Sequence, residues 1–280
     1  MLSIIITSYK EAKTIGRAIE SFVNQNIKDY ELLILAPDKE TLDAAKKYKK
    51  VKVIRDKGNG KPAALNLAFS KAKGNILVLS DGDVFVENNS VNELLKQFKK
   101  DAGAVSSRPI SLNPRNNMYG YWSHLLTDAA HDARKKKKII ECSGYLYSIK
   151  NLKLRIPEDV LSDDGYISHL IHSKDYEIGY AENAKVYVKY PDNFRDWILQ
   201  KKRSAGGYLQ IKKIFKKSRG FGKESSGIFF ALSYAKNLKE FIWTILLVFA
   251  RLYLWIIIFF DLKLKKEKFK ETWKRIESTK

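Results

Sequence analysis

The chain has 280 residues, 45% of them hydrophobic and 12% aromatic, and carries a formal charge of +21. That composition excludes a disordered polar chain, and one cysteine, Cys142, excludes an internal disulfide and a Cys-based zinc site. The charge points to a nucleic acid or an anionic membrane surface as partner, although lysine-rich compositions also occur in heat-adapted proteins.

The first hundred residues alternate two periodicities. MLSIIITSYKEA opens as a short apolar strand, Leu2–Ile6, and a turn, not as a leader peptide. A helical pattern over Ala12–Asn24 follows, with Ile15, Ala18, Ile19, Phe22 and Val23 on one face. Then come Tyr30–Leu35 (strand), Lys39–Tyr48 (helix), Val51–Arg55 (strand), Pro62–Lys71 (helix) and Asn75–Leu79 (strand). Continuous apolar strands between amphipathic helices predict an α/β fold with parallel strands and helices on both faces. In such sheets ligands bind at the carboxyl ends of the strands. The middle of the chain is mixed. Strands are expected over Ala102–Ser107, Ile139–Ile149, Tyr176–Ala181 and Ala184–Lys189, and helices over Asn117–Arg134 and Asp164–Ser173.

After Pro191 the character changes. Residues 195–223 hold ten Lys or Arg against one acid, Asp196, interleaved with Trp197, Ile198, Leu199, Tyr208, Leu209, Ile211, Ile214 and Phe215. Spacings of three and four give a basic amphipathic helix suited to an anionic membrane surface. FIWTILLVFARLYLWIIIFF, residues 241–260, is about long enough to cross a hydrocarbon core, with Arg251 its one charge. A buried core helix is the competing reading, and a span, a re-entrant helix and an in-plane anchor all remain open. A basic tail, Lys263–Arg275, closes the chain. The expected division is a catalytic domain over 1–191, interfacial helices over 192–235 and a membrane segment with its tail over 236–280.

Two stretches bear on chemistry. In LVLSDGDVFV, residues 77–86, Asp81 and Asp83 flank Gly82 at the end of the fourth strand. An i, i+2 pair in extended backbone points both carboxylates one way, which suits a hard divalent cation completed by substrate phosphates. The bare tripeptide reads equally as a solvated turn. In KGNGKPAALNLAF, residues 57–69, Gly58 and Gly60 permit a close loop and Lys61 stands at a helix start, a favourable place for an anion or simply a surface turn. There is no GxxxxGK[ST] phosphate loop. His169 and His172, three apart on a helix, read as packing or solvation, and Glu158–Asp159 form a second acid pair close to Asp163–Asp164.

Taken together, IIITSYKEA (4–12), LLILAPDKET (32–41), GKPAALNLAF (60–69), LVLSDGDVFV (77–86), ECSGYLYSI (141–149), LSDDGYISHLI (161–171) and QKKRSAGG (200–207) resemble, in order, the motifs of family 2 glycosyltransferases. The resemblance implies a GT-A fold, a mixed sheet flanked by helices that binds a nucleotide-diphosphate sugar. It implies that Thr7, Tyr9, Glu11 and Asp38 hold base and ribose, and that Lys61 lies near the diphosphate. Asp81 would reach the ribose and Asp83 a Mg²⁺ or Mn²⁺ ion, with Gly82 between them. Cys142, Ser143 and Gly144 would border the acceptor. Asp164 would be the general base of an inverting transfer, with Asp163 standing where the family usually has Glu. Gln200 and Arg203 match the QxxR motif of the membrane-bound branch that contains cellulose and hyaluronan synthases, and would bind the nucleotide sugar, Arg203 with Lys61 stabilising the departing diphosphate. Ser204 replaces that branch's Trp, and one apolar segment is too little for a polymer channel in a monomer. The implied protein sits at the cell membrane with its catalytic domain in the cytoplasm. It transfers a sugar to a lipid-linked (polyprenyl or dolichyl phosphate) or glycan acceptor and contacts membrane lipids. The alternatives are a polysaccharide synthase subunit and, on charge alone, a nucleic-acid-binding protein, although the family reading gives nucleic acid no role.

Overall fold

The computed structural model describes residues 1–137, 141–215, 225–261 and 276–279. The chain divides into two compact units, Met1–Pro109 with Glu141–Val188, and Ile110–Ile140 with Lys189–Lys280.

In the first unit the expected alternation is present: β1 (Leu2–Thr7), α1 (Ile15–Val23), β2 (Tyr30–Ala36), α2 (Lys39–Lys46), β3 (Val51–Arg55), α3 (Lys61–Lys71) and β4 (Ile76–Asp81). β2 and β4 flank β1 and β3 lies outside β2, all parallel. Ile4, Ile5 and Ile6, like Leu33, Ile34 and Leu35, have no exposed surface, so both faces of these strands are covered. This is why their sequences run apolar without alternation. β5 (Phe85–Val86), α4 (Ser90–Lys96), β6 (Ala102–Ser111), β7 (Leu146–Lys150), α6 (Asp163–His172) and β8 (Glu177–Val188) complete the unit. The sheet order is β3-β2-β1-β4-β7-β6-β8-β5. β7 runs antiparallel to β4 and β6, and β8 antiparallel to β5, so the sheet is mixed.

Three local expectations are corrected. β5 and α4 are too short for periodicity to signal, and β5 exists through its pairing with β8. The strand expected from Ile139 begins at Leu146, and residues 138–140 lie outside the described residues. Ahead of it, Cys142 N–H donates to Ser168 Oγ (2.9 Å) and Ser143 N–H to Ser106 Oγ (2.9 Å). Side chains, not a strand partner, hold that backbone. The two strands expected over 176–189 are one strand, β8, in which the polar pair Glu182–Asn183 is exposed rather than turning the chain.

The second unit is helical: α5 (Met118–Lys135), α7 (Phe194–Phe215), α8 (Ser225–Tyr234) and α9 (Leu238–Phe259). The apolar run forms α9, and it is not buried all round. Glu240, Thr244, Leu247, Ala250, Leu254 and Ile258, spaced by three or four, make one buried stripe. Polar bonds dock that stripe: Arg115 forks onto Glu240 (3.0 and 2.9 Å), Tyr121 Oη meets Thr244 Oγ1 (2.7 Å), and Trp122 Nε1 donates to the Trp243 carbonyl (2.7 Å). Phe241, Ile242, Phe249, Leu252, Ile256 and Phe259 face outward, Phe249 at 62% exposure. The basic stretch 216–223 and the tail Lys263–Arg275 lie outside the described residues.

Candidate active site

Parallel pairing puts the ends of β1 and β4 side by side, with Thr7 opposite Asp81. Gly82 N–H donates to the Thr7 carbonyl (3.1 Å). A Cβ on Gly82 would press on Ser8 Oγ and come within 2.9 Å of Ser8 Cβ. This close approach requires the glycine between the two acids. Thr7 Oγ1 and Ser8 Oγ are buried without a hydrogen-bond partner.

Lys61 reaches the same place from another element. Gly60, at φ 101°, turns the chain through backbone that favours glycine, and Lys61 opens α3 with Pro62 behind it. Its Nζ pairs with Asp81 Oδ1 at 2.8 Å and Asp163 Oδ2 at 3.2 Å. One ammonium thus ties the end of β4 to the start of α6, joining the DGD and DD motifs. Burial works against the Lys61 charge, but Asp163 and Asp81 outweigh it and hold the pKa above the usual lysine value. Burial pushes the Asp81 carboxyl up to about 6, with Lys61 pulling it down and Asp83 pushing it further up.

Asp164 is held from below and crowded from the side. Ser162 precedes α6 where a capping hydroxyl is expected, yet its Oγ accepts no helix N–H and instead donates to Asp164 Oδ1 (2.6 Å). A Cβ on Gly144 would lie 2.8 Å from Asp164 Oδ2, so the absence of a side chain there gives the carboxylate its room. Burial, then the neighbouring Asp163, raises the Asp164 pKa. A raised carboxylate is a stronger base once ionised.

The remaining expected residues fall into two groups. Asp38 caps α2, its Oδ1 accepting from Thr41 N–H (3.0 Å) and Thr41 Oγ1 (2.6 Å), while Oδ2 accepts from Lys10 N–H (2.8 Å). Burial raises its pKa, but these bonds prevail and the carboxyl is lowered. Glu11 is buried and accepts from Thr14 Oγ1 (2.9 Å), and Tyr9 is 42% exposed on the same loop. Cys142, Ser143 and Gly144 lie beside α6, Cys142 through Ser168, whose Oγ also donates to the Asp164 carbonyl (2.6 Å). Gln200 and Arg203 belong to the second unit, on α7, Gln200 buried. Glu158 and Asp159 are exposed in a turn outside the ion-paired cluster. His169 is buried against Glu141 Oε1 (2.9 Å). The sequence reading misses Ser8, Ser162, Ser168 and Tyr147, whose buried hydroxyl lacks a partner. Of these only Ser162, placed as a helix cap, carried a signal.

For a metal, the observation is two hard carboxylates at one strand end, the charge of Asp83 raising the pKa of Asp81. A divalent cation would relieve that repulsion, so the pair fits Mg²⁺ or Mn²⁺ as part of a coordination shell. Among the described residues no three His, Cys, Asp or Glu side chains are grouped to hold a metal, so donor oxygens from elsewhere would be needed.

Comparison with known proteins agrees with this geometry. The chain is 30% identical over 108 residues to the cholesterol galactosyltransferase of Borreliella burgdorferi, a match covering 36% of this chain and 30% of that protein. It is 21% identical over 229 residues to the poly-β-1,6-N-acetyl-D-glucosamine synthase of Staphylococcus epidermidis, covering 75% of this chain and 55% of that one. The matches thus span between about a third and about half of these relatives' lengths. The mannosyltransferase PcManGT from Pyrobaculum calidifontis, solved with GDP-Man and Mn²⁺, superposes with a TM-score of 0.62 at 17% identity, over 97% of this chain and 82% of that one. That likeness shows the GT-A fold. The profile of glycosyl transferase family 2 matches residues 3–151, more than half of the chain. The chain therefore belongs to glycosyl transferase family 2.

Proposed function

We propose that the protein is a membrane-associated inverting glycosyltransferase that moves a sugar from a nucleotide-diphosphate donor to a lipid-linked or membrane-proximal acceptor. The observation that carries the catalytic part is the Lys61 bridge, which gathers Asp81, Asp163 and Asp164 from distant sequence into one cluster. In this reading the loop after β1 and Asp38 face base and ribose, and Asp81 takes the ribose. Asp83, with Asp81, would hold a divalent cation; when bound, the cation supplies positive charge to the leaving diphosphate. Lys61 holds the acids in register and lends its charge to the same end of the donor.

Asp164, held by Ser162 and given space by Gly144, takes the proton from an acceptor hydroxyl. The acceptor oxygen bonds to the anomeric carbon as the bond from that carbon to the diphosphate oxygen breaks, and the electron pair leaves with the nucleotide. Attack opposite the leaving group inverts the anomeric centre. Support for a membrane-proximal acceptor comes from α9, whose outward side is apolar over several turns. Since nucleotide sugars are cytosolic, the catalytic unit would face the cytoplasm.

The test is a donor screen on membranes carrying the protein, with Mg²⁺ or Mn²⁺, reading nucleotide release. Release with one donor class, lost in Asp83→Ala and Asp164→Ala, is the expected result. Wild-type turnover in both variants would remove the site, and a retained anomeric configuration by NMR would remove Asp164 as base. A second reading, synthesis of a polysaccharide, is favoured by the match to the N-acetylglucosamine polymer synthase over 75% of the chain. Product length on a gel separates the two.

A further inference from the structure

Residues 141–144 precede β7 without strand pairing, and α6 is what holds most of them. His169 Nε2 meets Glu141 Oε1 at 2.9 Å; a carboxylate oxygen accepts, so that ring nitrogen carries the proton. The neighbouring Ser168 uses one hydroxyl twice. Its Oγ accepts from Cys142 N–H (2.9 Å) and donates to the carbonyl of Asp164 (2.6 Å), one turn earlier in the helix. Ser168 has no exposed surface and His169 is 4% exposed, so neither contact is a solvated surface pair. Ile167 and Ile171 of α6 share a core cluster with Cys142. Gly144, at the far end of the stretch, comes up against the Asp164 side chain itself. Ser106 of β6 holds the one remaining residue, Ser143 (2.9 Å). Three of the four residues thus meet the helix that carries Asp164, two of them through consecutive residues of that helix.

We propose that Ser168 and His169 are positioning residues for the transfer. They lock residues 141–144, which include the proposed acceptor border, to α6, and so fix the distance from the acceptor hydroxyl to the Asp164 carboxylate. Ladder bonds would tie this stretch to the sheet and let α6 shift against it. Bonds from α6 instead make the base and the acceptor border one body. A general base works only within hydrogen-bond reach of the proton it takes, and a misplacement of about 1 Å loses much of the rate. Neither residue touches the reacting atoms; each acts through Asp164 or through residues 141–144. The inference rests on the reading of Asp164 as base and deepens it by naming what holds the acceptor side in place.

Cys142, the chain's one cysteine, is 2% exposed and reports on the stretch independently of activity. In the full chain, Ser168→Ala and His169→Leu should each speed labelling of Cys142 by dithionitrobenzoate about tenfold, the factor that losing one buried hydrogen bond gives to a local opening. With the donor selected by the release screen, both should also lower kcat for nucleotide release about tenfold and leave the donor KM unchanged. His169→Gln keeps a donor toward Glu141 and should restore both readouts, while His172→Gln, on the same helix, should change neither. Wild-type labelling rates in Ser168→Ala and His169→Leu overturn the lock. Fast labelling with kcat per folded molecule unchanged, in a protein that Asp164→Asn inactivates, leaves the bonds structural and overturns the positioning role alone. Wild-type release by Asp164→Asn removes the base reading itself, and this inference with it.

Discussion

In the first unit one ammonium, Lys61, lies among carboxylates and is paired to two of them; in the second, Lys201 lies beside Arg203 and Arg251 and pairs with no described carboxylate. The same residue type, partly withdrawn from water in both places, is shifted in opposite directions. Lys61 is held above the usual lysine value and Lys201 below it, because the neighbours differ in sign. The lesson is that burial alone does not set the state of a charge. Where the counter-charge is built in, the cluster can be an organised acid–base site. Where it is missing, burial and like charges together loosen the ammonium's hold on its proton.

The largest expected effect strikes the acid cluster directly. Asp164→Asn should lower kcat by about 10²–10⁴ while leaving the melting temperature near wild type, and nucleotide-release kinetics check it. Next, Lys61→Met leaves Asp81 and Asp163 without their cation. With side chains 13–31% exposed, the loss should fall between exposed and buried pairs, about 1–3 kcal/mol by denaturant unfolding. This loss has a pH signature. Asp81 has a raised folded value of about 6 against 3.8 unfolded, so its contribution to stability is present below the unfolded value and is lost as pH rises through about 6. The Lys61→Met defect should therefore shrink in acid. If Asp81 serves ribose or cation as proposed, activity should move the other way, falling as pH drops through about 6 and the carboxyl takes up a proton. Parallel pH profiles of stability and activity would break the comparison.

A smaller effect, about tenfold on kcat, is expected for Gly144→Ala, whose methyl would push the Asp164 carboxylate aside. An unchanged kcat with an altered KM would move Gly144 from the base to the acceptor. The smallest sharpens the contrast from the other side. Arg115→Lys in the second unit exchanges a two-bond fork onto Glu240 for a point charge and should cost about 1 kcal/mol or less, seen as a slightly lower melting temperature. A large loss would show that the helical unit also depends on built-in pairs.

Much of this is legible before folding. The apolar runs 2–6, 30–35 and 51–55 announce parallel strands because covering both faces removes the alternation. The acids of LVLSDGDVFV and LSDDGYISHLI are visible as pairs. Gly82 is legible as a glycine, while its reason, the nearness of Ser8, lies 74 positions away in sequence. The short β5 is invisible because a two-residue strand has no period, and the late start of β7 because the side chains of Ser106 and Ser168 replace strand pairing. The apolar run at 241–260 predicts a helix; that it docks by a Glu240–Thr244 stripe depends on α5.

By itself the sequence determined the alternating elements, the family motifs in order and the excess of cations, since these are properties of composition and local period. Tertiary structure alone decided that Lys61 binds acids from two motifs, that Gly144 makes room for Asp164, and that Lys201 meets cations rather than carboxylates. The physical reason is common to all three. Electrostatic energy and steric room depend on distance in space, and residues far apart in sequence, such as Lys61 and Asp163 or Gly144 and Asp164, have no fixed distance until the chain folds.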